Sequence, residues 1–529
     1  MRNLGRSLLL VCAAGLALSA AAPPHFDLLI RNGTVLDGSG AKGVRADVAV
    51  TGGRIVRVGR LSGATAVREI DATGLVVAPG FIDVHTHADG IANTPEAANF
   101  VRMGVTTVIA GNCGGSAARV GEALARIRDK GVAINFGTLV GHNTVRQAVM
   151  GSEGRPPTAD ELARMEALVA QAMADGALGF STGLEYVPGT YADAAEITAL
   201  ARVAARAGGI YTSHMRNEGT EVEKAVAETI AVGEAANCPV EISHLKIDSP
   251  SRWGTSRTIL GMIDAARRRG VNVRADQYAY DAASSSLSIR FPTWALEGGR
   301  QKTAERLRDE ATWPRVKADM AGLLAARGFT DLSFAVVTSY AADPSRNGLS
   351  IKDIAVKIKG SDSADAQFEV AREMMLGGGA GMVYHLMSED DIARIMRHPD
   401  VAIASDASLL TPGEGQPHPR GYGNNARVLG HYVRELKVIT LPEAIRKMTS
   451  LPASQFGLAG RGLIKPGLAA DLVVFDPRMV GDRATYDQPH QYAAGIPWVI
   501  VNGAVVVDNG NETRARPGQL VTREAPARR

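Results

Sequence analysis

The chain has 529 residues, 45% of them apolar and 21% charged, with a formal charge of only +3. That length exceeds one compact core and suggests two or three units, although α/β barrels run long. The near-neutral balance, with no basic block beyond the tail near Arg523–Arg529, argues against nucleic acid as a partner.

Residues 1–22 read as a targeting segment. Arg2 and Arg6 form a basic start, Leu8–Leu18 an apolar run, and Ser19–Ala22 a small-residue stretch suited to a signal peptidase. The run is shorter than the roughly 20 apolar residues that span a bilayer. The expectation is therefore a cleaved signal, a periplasmic or secreted protein, and no stable membrane anchor after cleavage. Cys12 lies inside the apolar run and follows Val11, which argues against lipidation there.

Residues 23–80 are rich in short strand patterns. Asp27–Ile30, Thr34–Asp37, Asp47–Thr51, Arg54–Gly59 and Glu69–Asp71 are separated by Asn-Gly, Gly-Ser-Gly and Gly-Gly turns. The far end, residues 458–515, repeats this texture in Asp471–Phe475, Val499–Val501 and Ala504–Asp508, with a hairpin signal at Asn502-Gly503. Two similar flanks predict one small β-sandwich domain built from both termini. Residues 516–529 read as a basic tail.

Between them, residues 81–457 alternate apolar strands with amphipathic helices. Eight strands are predicted: Ile82–His85, Val105–Ala110, Ala133–Leu139, Ala177–Ser181, Ile210–His214, Val240–His244, Val271–Asp276 and Val401–Asp406. Ala159–Ala174 and Asp193–Ala207 show the three-and-four spacing of helices that bury one face. The pattern predicts an α/β protein with a (β/α)₈ TIM-type barrel. The connection between the seventh and eighth strands is far longer than usual. Within it, about 285–347 reads as an insertion over the barrel mouth, while Phe334–Thr338 and Met382–Leu386 are further strand candidates.

Active sites of such barrels sit at the C-terminal ends of the strands. Here those ends carry His85 and His87 (strand one), Cys113 (two), His214 (five), His244 (six) and Asp406 (eight). These are the residue types that bind Zn²⁺. Residues two apart in a strand point the same way, so His85 and His87 reach one ion together. Each residue alone has an ordinary explanation: a satisfied core histidine, a small buried thiol, a turn aspartate. Their joint placement at five strand ends points to a metal site.

The segment Val77–His87 (VAPGFIDVHTH) resembles the opening of the amidohydrolase superfamily. Gly111–Gly114 (GNCG), Gly179–Tyr186 (GFSTGLEY), Thr212–Glu218 (TSHMRNE), Ser243–Lys246 (SHLK), Asp276–Tyr280 (DQYAY), Trp294–Gly298 (WALEG), Ser405–Asp406 and His418–Arg420 (HPR) are similar to the D-aminoacylases, the N-acyl-D-amino-acid deacylases. The resemblance runs from about Phe26 to Asn509. It implies zinc-dependent hydrolysis of N-acyl-D-amino acids, one ion held tightly by Cys113, His214 and His244, and a weaker second site at His85, His87 and Asp406. Most of the superfamily bridges two metals with a modified Lys on strand four. Here that strand ends in Ser181-Thr182-Gly183, and the resemblance gives the bridging place to Cys113. A Cys used as a ligand is not free to pair with Cys238. Asp406 becomes the general base and acid. Lys246 and Arg420 become the handle for the substrate carboxylate, with Tyr186, Tyr278 and Ser284 as hydroxyl donors.

The chain departs from the family pattern at Ala279, where Pro is usual, at Ala407-Ser408, where Gly is common, and in the loop Leu409–Gln416. Three other readings compete: a cyclic-amide hydrolase of the dihydroorotase or hydantoinase type, a D-peptidase on the same scaffold, and a non-catalytic barrel.

Overall fold

A computed structural model describes residues 25–523, so the predicted signal segment lies outside the described residues. Eight parallel strands occupy the predicted positions: Phe81–Asp83, Val105–Ala110, Asn135–Thr138 continued by Val140–Gly141, Gly179–Gly183, Ile210–His214, Val240–Ile242, Val273–Gln277 and Val401–Ile403. The third breaks at Leu139, whose N–H donates to the Ala110 carbonyl at 2.9 Å.

The seam between the eighth and first strands closes the barrel just above its last residues. Asp406 N–H donates to the His85 carbonyl at 2.9 Å, and Thr86–His87 pairs with Ala407–Ser408. Below them the Asp83 carboxylate accepts from the Ser405 N–H at 3.0 Å and the His85 N–H at 3.3 Å. Burial pushes the Asp83 carboxyl up to about 7. The bonds that close the barrel are thus the bonds that set the backbone of His85 and Asp406.

The helices begin where the sequence provides caps. Thr158 and Glu161 form a capping box at the start of Ala159–Ala174, which buries Met165, Val169 and Ala172, and Asp193 caps Ala194–Arg206. Such caps contribute about 1 kcal/mol each.

The two termini share one sheet, joined where Leu472–Phe475 runs antiparallel to Val76–Pro79. The two strands expected over Asp27–Asp37 are one, His25–Val35, irregular between Ile30 and Gly33. One edge pairs with Val44–Thr51; the other pairs first with Thr65–Asp71 and then with Val76–Pro79. The sheet branches there and encloses a core that includes Leu28, Ile30, Val48, Ile55, Val474 and Ile500.

The inserted unit is wider than the 285–347 expected. Its antiparallel sheet comprises Ala282–Ser286, Ala335–Ser339 and, in the middle, Gly381–His385. The extra candidates at 334–338 and 382–386 therefore belong to the insertion and not to the barrel. Ala282–Ser286 (AASSS) escaped notice because it has no apolar alternation; its pairing partner defines it as a strand.

The tail also differs from expectation in its described part. Gly518 N–H bonds to Val132, Phe136 N–H to Gln519, and Val521 N–H to Phe136, at 2.9, 2.9 and 2.8 Å. Val521 is buried in a cluster with Ile82, Ile109, Ile210 and Phe456. This stretch is a docked strap under the third barrel strand. Basic composition alone concealed the apolar pair Leu520-Val521. Among the described residues, no helix is long and apolar enough to cross a membrane.

Removing residues 518–529 deletes three backbone hydrogen bonds, at ~1 kcal/mol each, and the burial of Val521, at about 1.5 kcal/mol or more. The truncated protein is expected to unfold at a clearly lower denaturant concentration, measured by tryptophan fluorescence; an unchanged midpoint would show the strap to be dispensable.

Candidate metal centre

The predicted strand-end residues converge at the barrel mouth in two overlapping groups. His85, His87, Cys113 and Asp406 offer ligand atoms that all lie within 4.8 Å of one another, and so do Cys113, His214 and His244. Cys113 Sγ belongs to both. It stands 3.2 Å from His85 Nε2 and 3.6 Å from His244 Nε2. Asp406 Oδ1 lies 3.1 Å from His87 Nε2 and 3.5 Å from His85 Nε2.

The backbone is bent to deliver these atoms. Cys113, His244 and Asp406 have φ of 52°, 34° and 51°, in the left-handed region that ordinary residues avoid. Each such residue costs on the order of 1–3 kcal/mol, a pattern that clusters at functional sites. Room for the Cys113 turn comes from Gly183 at the end of strand four, where an added Cβ would collide with the Cys113 carbonyl.

Three of the histidines around the shared thiol, His85, His214 and His244, have a ring nitrogen held or flanked by an acid. Asp276 lies 3.2 Å from His85 Nδ1 and also accepts the His244 N–H at 2.8 Å. Glu185 lies 3.2 Å from His214 Nε2. Glu218 lies 2.9 Å from His244 Nδ1 and 2.5 Å from Lys246 Nζ, itself 2.9 Å from that Nδ1. Carboxylates of this kind fix the tautomer and rotation of metal-binding imidazoles. His214 Nδ1 is buried and has no hydrogen-bond partner among the described residues. An orphaned imidazole nitrogen beside a thiolate is what a ligand atom looks like before its ion is added.

Electrostatics support the same fit. Burial raises the Cys113 thiol, but His85, His214 and His244 outweigh it and hold the thiol well below its ordinary range. Burial disfavours charge on the histidines, yet Asp406 and Cys113 raise His87 to about 9, and Glu218, Cys113 and Glu185 raise His214 to about 10. The donor set therefore attracts positive charge strongly. Imidazole and thiolate donors of this kind suit Zn²⁺, a borderline-soft ion.

Asp406, buried, is held well below the usual carboxylate range: burial pushes it up, but Arg420, His85, His87 and His244 prevail. The Arg420 guanidinium lies 2.9 Å from Asp406 Oδ2 and over the Tyr278 ring. All five predicted substrate contacts, Lys246, Arg420, Tyr186, Tyr278 and Ser284, line one cavity of about 360 Å³ together with His87, Cys113, His214, His244 and Asp406. Lys246 and Arg420 are each engaged by an acid, Glu218 and Asp406. His418 positions Arg420: its Nε2 lies 2.9 Å from the Ala282 carbonyl and its Nδ1 accepts the Arg420 N–H at 3.0 Å.

Sequence reading gave no role to Glu185, Glu218, Asp276 or Arg290. The first three sit inside quoted motifs, and their position one turn or one strand from a ligand was the available signal. Arg290 comes from the insertion, where no periodicity pointed inward.

The "Amidohydrolase family" pattern matches residues 68–507. The chain belongs to that family, the class of barrel hydrolases its strand-end donors define. It is 39% identical to the N-acyl-D-glutamate deacylase of Alcaligenes xylosoxydans xylosoxydans over 94% of this chain and 97% of the relative. It is 37% identical to the D-aminoacylase of the same organism, over 96% and 100%. Among solved structures, D-aminoacylase superposes with a TM-score of 0.82 at 37% identity, covering 94% of this chain and all of the other. The N-acyl-D-glutamate deacylase of Bordetella bronchiseptica, solved with zinc and a phosphonate mimic of the tetrahedral intermediate, gives 0.80 at 38%, covering 94% and 99%. Within the amidohydrolases, the chain is thus a member of the D-aminoacylase family.

Two outcomes follow from this geometry. Gly183→Ala is expected to displace the Cys113 turn and lower the metal content of protein that still has wild-type circular dichroism; full metal occupancy would remove the steric argument. Zinc affinity is expected to rise with pH between about 7 and 10, because His87 and His214 must shed protons to bind. Titration in two buffers of different ionisation enthalpy reads the released protons.

Proposed function

We propose that this chain is a zinc-dependent N-acyl-D-amino-acid deacylase, which hydrolyses a linear amide to a carboxylate and a free D-amino acid. The observation that carries the reading is the pair of donor groups sharing Cys113 Sγ, set against Asp406 and the cations of one cavity. Cys113, His214 and His244 would hold one ion, and His85, His87 and Asp406, with Cys113, a second and weaker one. Bound zinc supplies a Lewis acid for the amide carbonyl and lowers the pKa of water toward neutrality.

The chain's own residues do the rest. Asp406 is ionised at neutral pH and faces the cluster, so it accepts the proton of the attacking water and returns it to the departing amine nitrogen. Lys246 and Arg420 bind and orient the α-carboxylate, Arg420 with a bidentate fork and Lys246 as a point charge. Tyr186, Tyr278 and Ser284 fix the rest of the substrate by hydroxyl contacts. No residue needs to form an acyl intermediate; the Ser405 hydroxyl accepts the Ala407 N–H at 3.1 Å.

Arg290 refines the substrate. It is buried in the same cavity, its guanidinium 4.6 Å from the Tyr384 ring centre, and its Nε has no hydrogen-bond partner among the described residues. A buried cation with its Nε unpartnered in the cavity wall favours an acidic side chain, as in N-acyl-D-glutamate. The Arg2 and Arg6 start and the apolar run Leu8–Leu18 support export as part of the proposal; amino-terminal sequencing of the secreted or periplasmic protein would locate the cleavage.

Purified protein is expected to contain zinc and to release amino acid from N-acetyl-D-glutamate but not from its L-enantiomer. Zinc without turnover of any N-acyl-D-amino acid would overturn the assignment. Asp406→Asn is expected to lower kcat by about 10²–10⁴. Arg290→Met is expected to raise KM for N-acetyl-D-glutamate at least tenfold while sparing N-acetyl-D-methionine; equal effects on both would deny Arg290 a role in side-chain choice.

A further inference from the structure

A second, larger cavity of about 790 Å³ opens behind the proposed catalytic one, between the loop after strand four and the insertion helix Trp313–Arg327. The two share Glu185, Tyr186 and Ile289 as a common wall. Its floor is apolar, with Phe291, Trp294, Leu296 and Leu323 among its lining, and Leu323 stays 46% exposed.

The charged groups around it are already satisfied. Arg327 pairs with Asp248 and Glu185, and Arg216 is held by Glu228 and by the carbonyls of Thr190 and Ala192. Asp319 accepts from the Trp294 indole at 2.8 Å. The cavity therefore asks for no ionic partner.

Gly322 lies in the middle of the helix that forms one wall. A Cβ at this position would meet nothing within 4 Å, so no packing contact requires glycine. Glycine inside a helix lowers its stability relative to alanine. Here its effect is to keep the cavity wide.

Direction decides the occupant. Lys246, Tyr278 and Arg420, the groups proposed for the amino-acid end, come from strands six and seven and the loop after strand eight. On the deacylase reading, with the α-carboxylate at these groups and the amide at the donor cluster, the acyl substituent would run to the wall that the two cavities share. Tyr186 belongs to the wall shared with the second cavity, and its hydroxyl accepts at 3.3 Å from Ser285 Oγ, which lines the catalytic cavity. We propose that this second cavity is a subsite for an extended aliphatic acyl chain, so that the substrates are N-acyl-D-amino acids bearing more than an acetyl group. The inference rests on the deacylase reading and deepens it.

The test compares N-acetyl- and N-octanoyl-D-glutamate on the zinc-loaded protein and on Gly322→Trp, which fills the cavity from an open helical position. The octanoyl compound is expected to show a KM at least tenfold lower than the acetyl compound. Gly322→Trp is expected to erase that difference and leave acetyl turnover unchanged. Acetyl turnover with no chain-length preference, or a preference that survives Gly322→Trp, overturns the subsite. Should neither compound be hydrolysed, the deacylase reading falls, and calorimetry decides the cavity separately: octanoyl-D-glutamate binding lost in Gly322→Trp supports it, and binding indifferent to the substitution overturns it.

Discussion

The arrangement of the mouth depends on a single sulfur atom facing two ways. Cys113 Sγ is a member of both donor groups, so its position must satisfy ligands from strands one and eight on one side and from strands five and six on the other. A side chain with one rotatable bond to its donor atom leaves little room for adjustment, and the backbone takes up the demand. The left-handed turn at Cys113, flanked by Gly111 and Gly114 with φ of 76° and 75°, and the absence of a side chain at Gly183 are the result. The donor that both groups share is a short thiol carried by the loop after strand two. Strand four ends in Gly183, whose missing side chain leaves room for the Cys113 carbonyl.

Concentrating so many acids in a buried place requires compensation, because burying an unpaired ionised group costs several kcal/mol. The structure provides it in pairs: Glu218 with Lys246, Asp248 with Arg327, Asp406 with Arg420. Cys113 and the histidines remain, and their mutual stabilisation shows as a depressed thiol and raised imidazoles. A divalent cation would take the place of those protons, among imidazoles whose outer nitrogens on His85, His214 and His244 are held or flanked by Asp276, Glu185 and Glu218.

Much of this was legible in the sequence for a physical reason. Barrel strands are short, apolar and buried, so a polar residue at their last position stands out, and six such residues gave the metal cluster. The acids that orient them were not legible in the same way. Glu185 and Glu218 lie in loops past the strand ends, where a carboxylate is ordinary, and only the fold brings them back against His214 and His244. Asp276 was read as the end of a strand without a partner. The insertion was underestimated because its edge strand is built from alanine and serine and is defined by pairing with Gly381–His385. The docked strap at residues 518–521 was hidden by the basic residues around it.

The division of labour between barrel and insertion follows from rigidity. All the donors, Asp406 and the carboxylates behind the histidines belong to the barrel strands or the loops directly after them, where hydrogen bonds on both sides fix the backbone. Ser284, Arg290 and the wall carrying Gly322 belong to the insertion, which supplies none of the atoms in the Cys113 donor groups. The two are nevertheless joined. Arg327, the last residue of an insertion helix, reaches Glu185, and Glu185 holds His214. A change in how the insertion sits is therefore felt at one ligand through a single carboxylate. Substrate choice can vary in the inserted segment, while the reaction stays with the barrel.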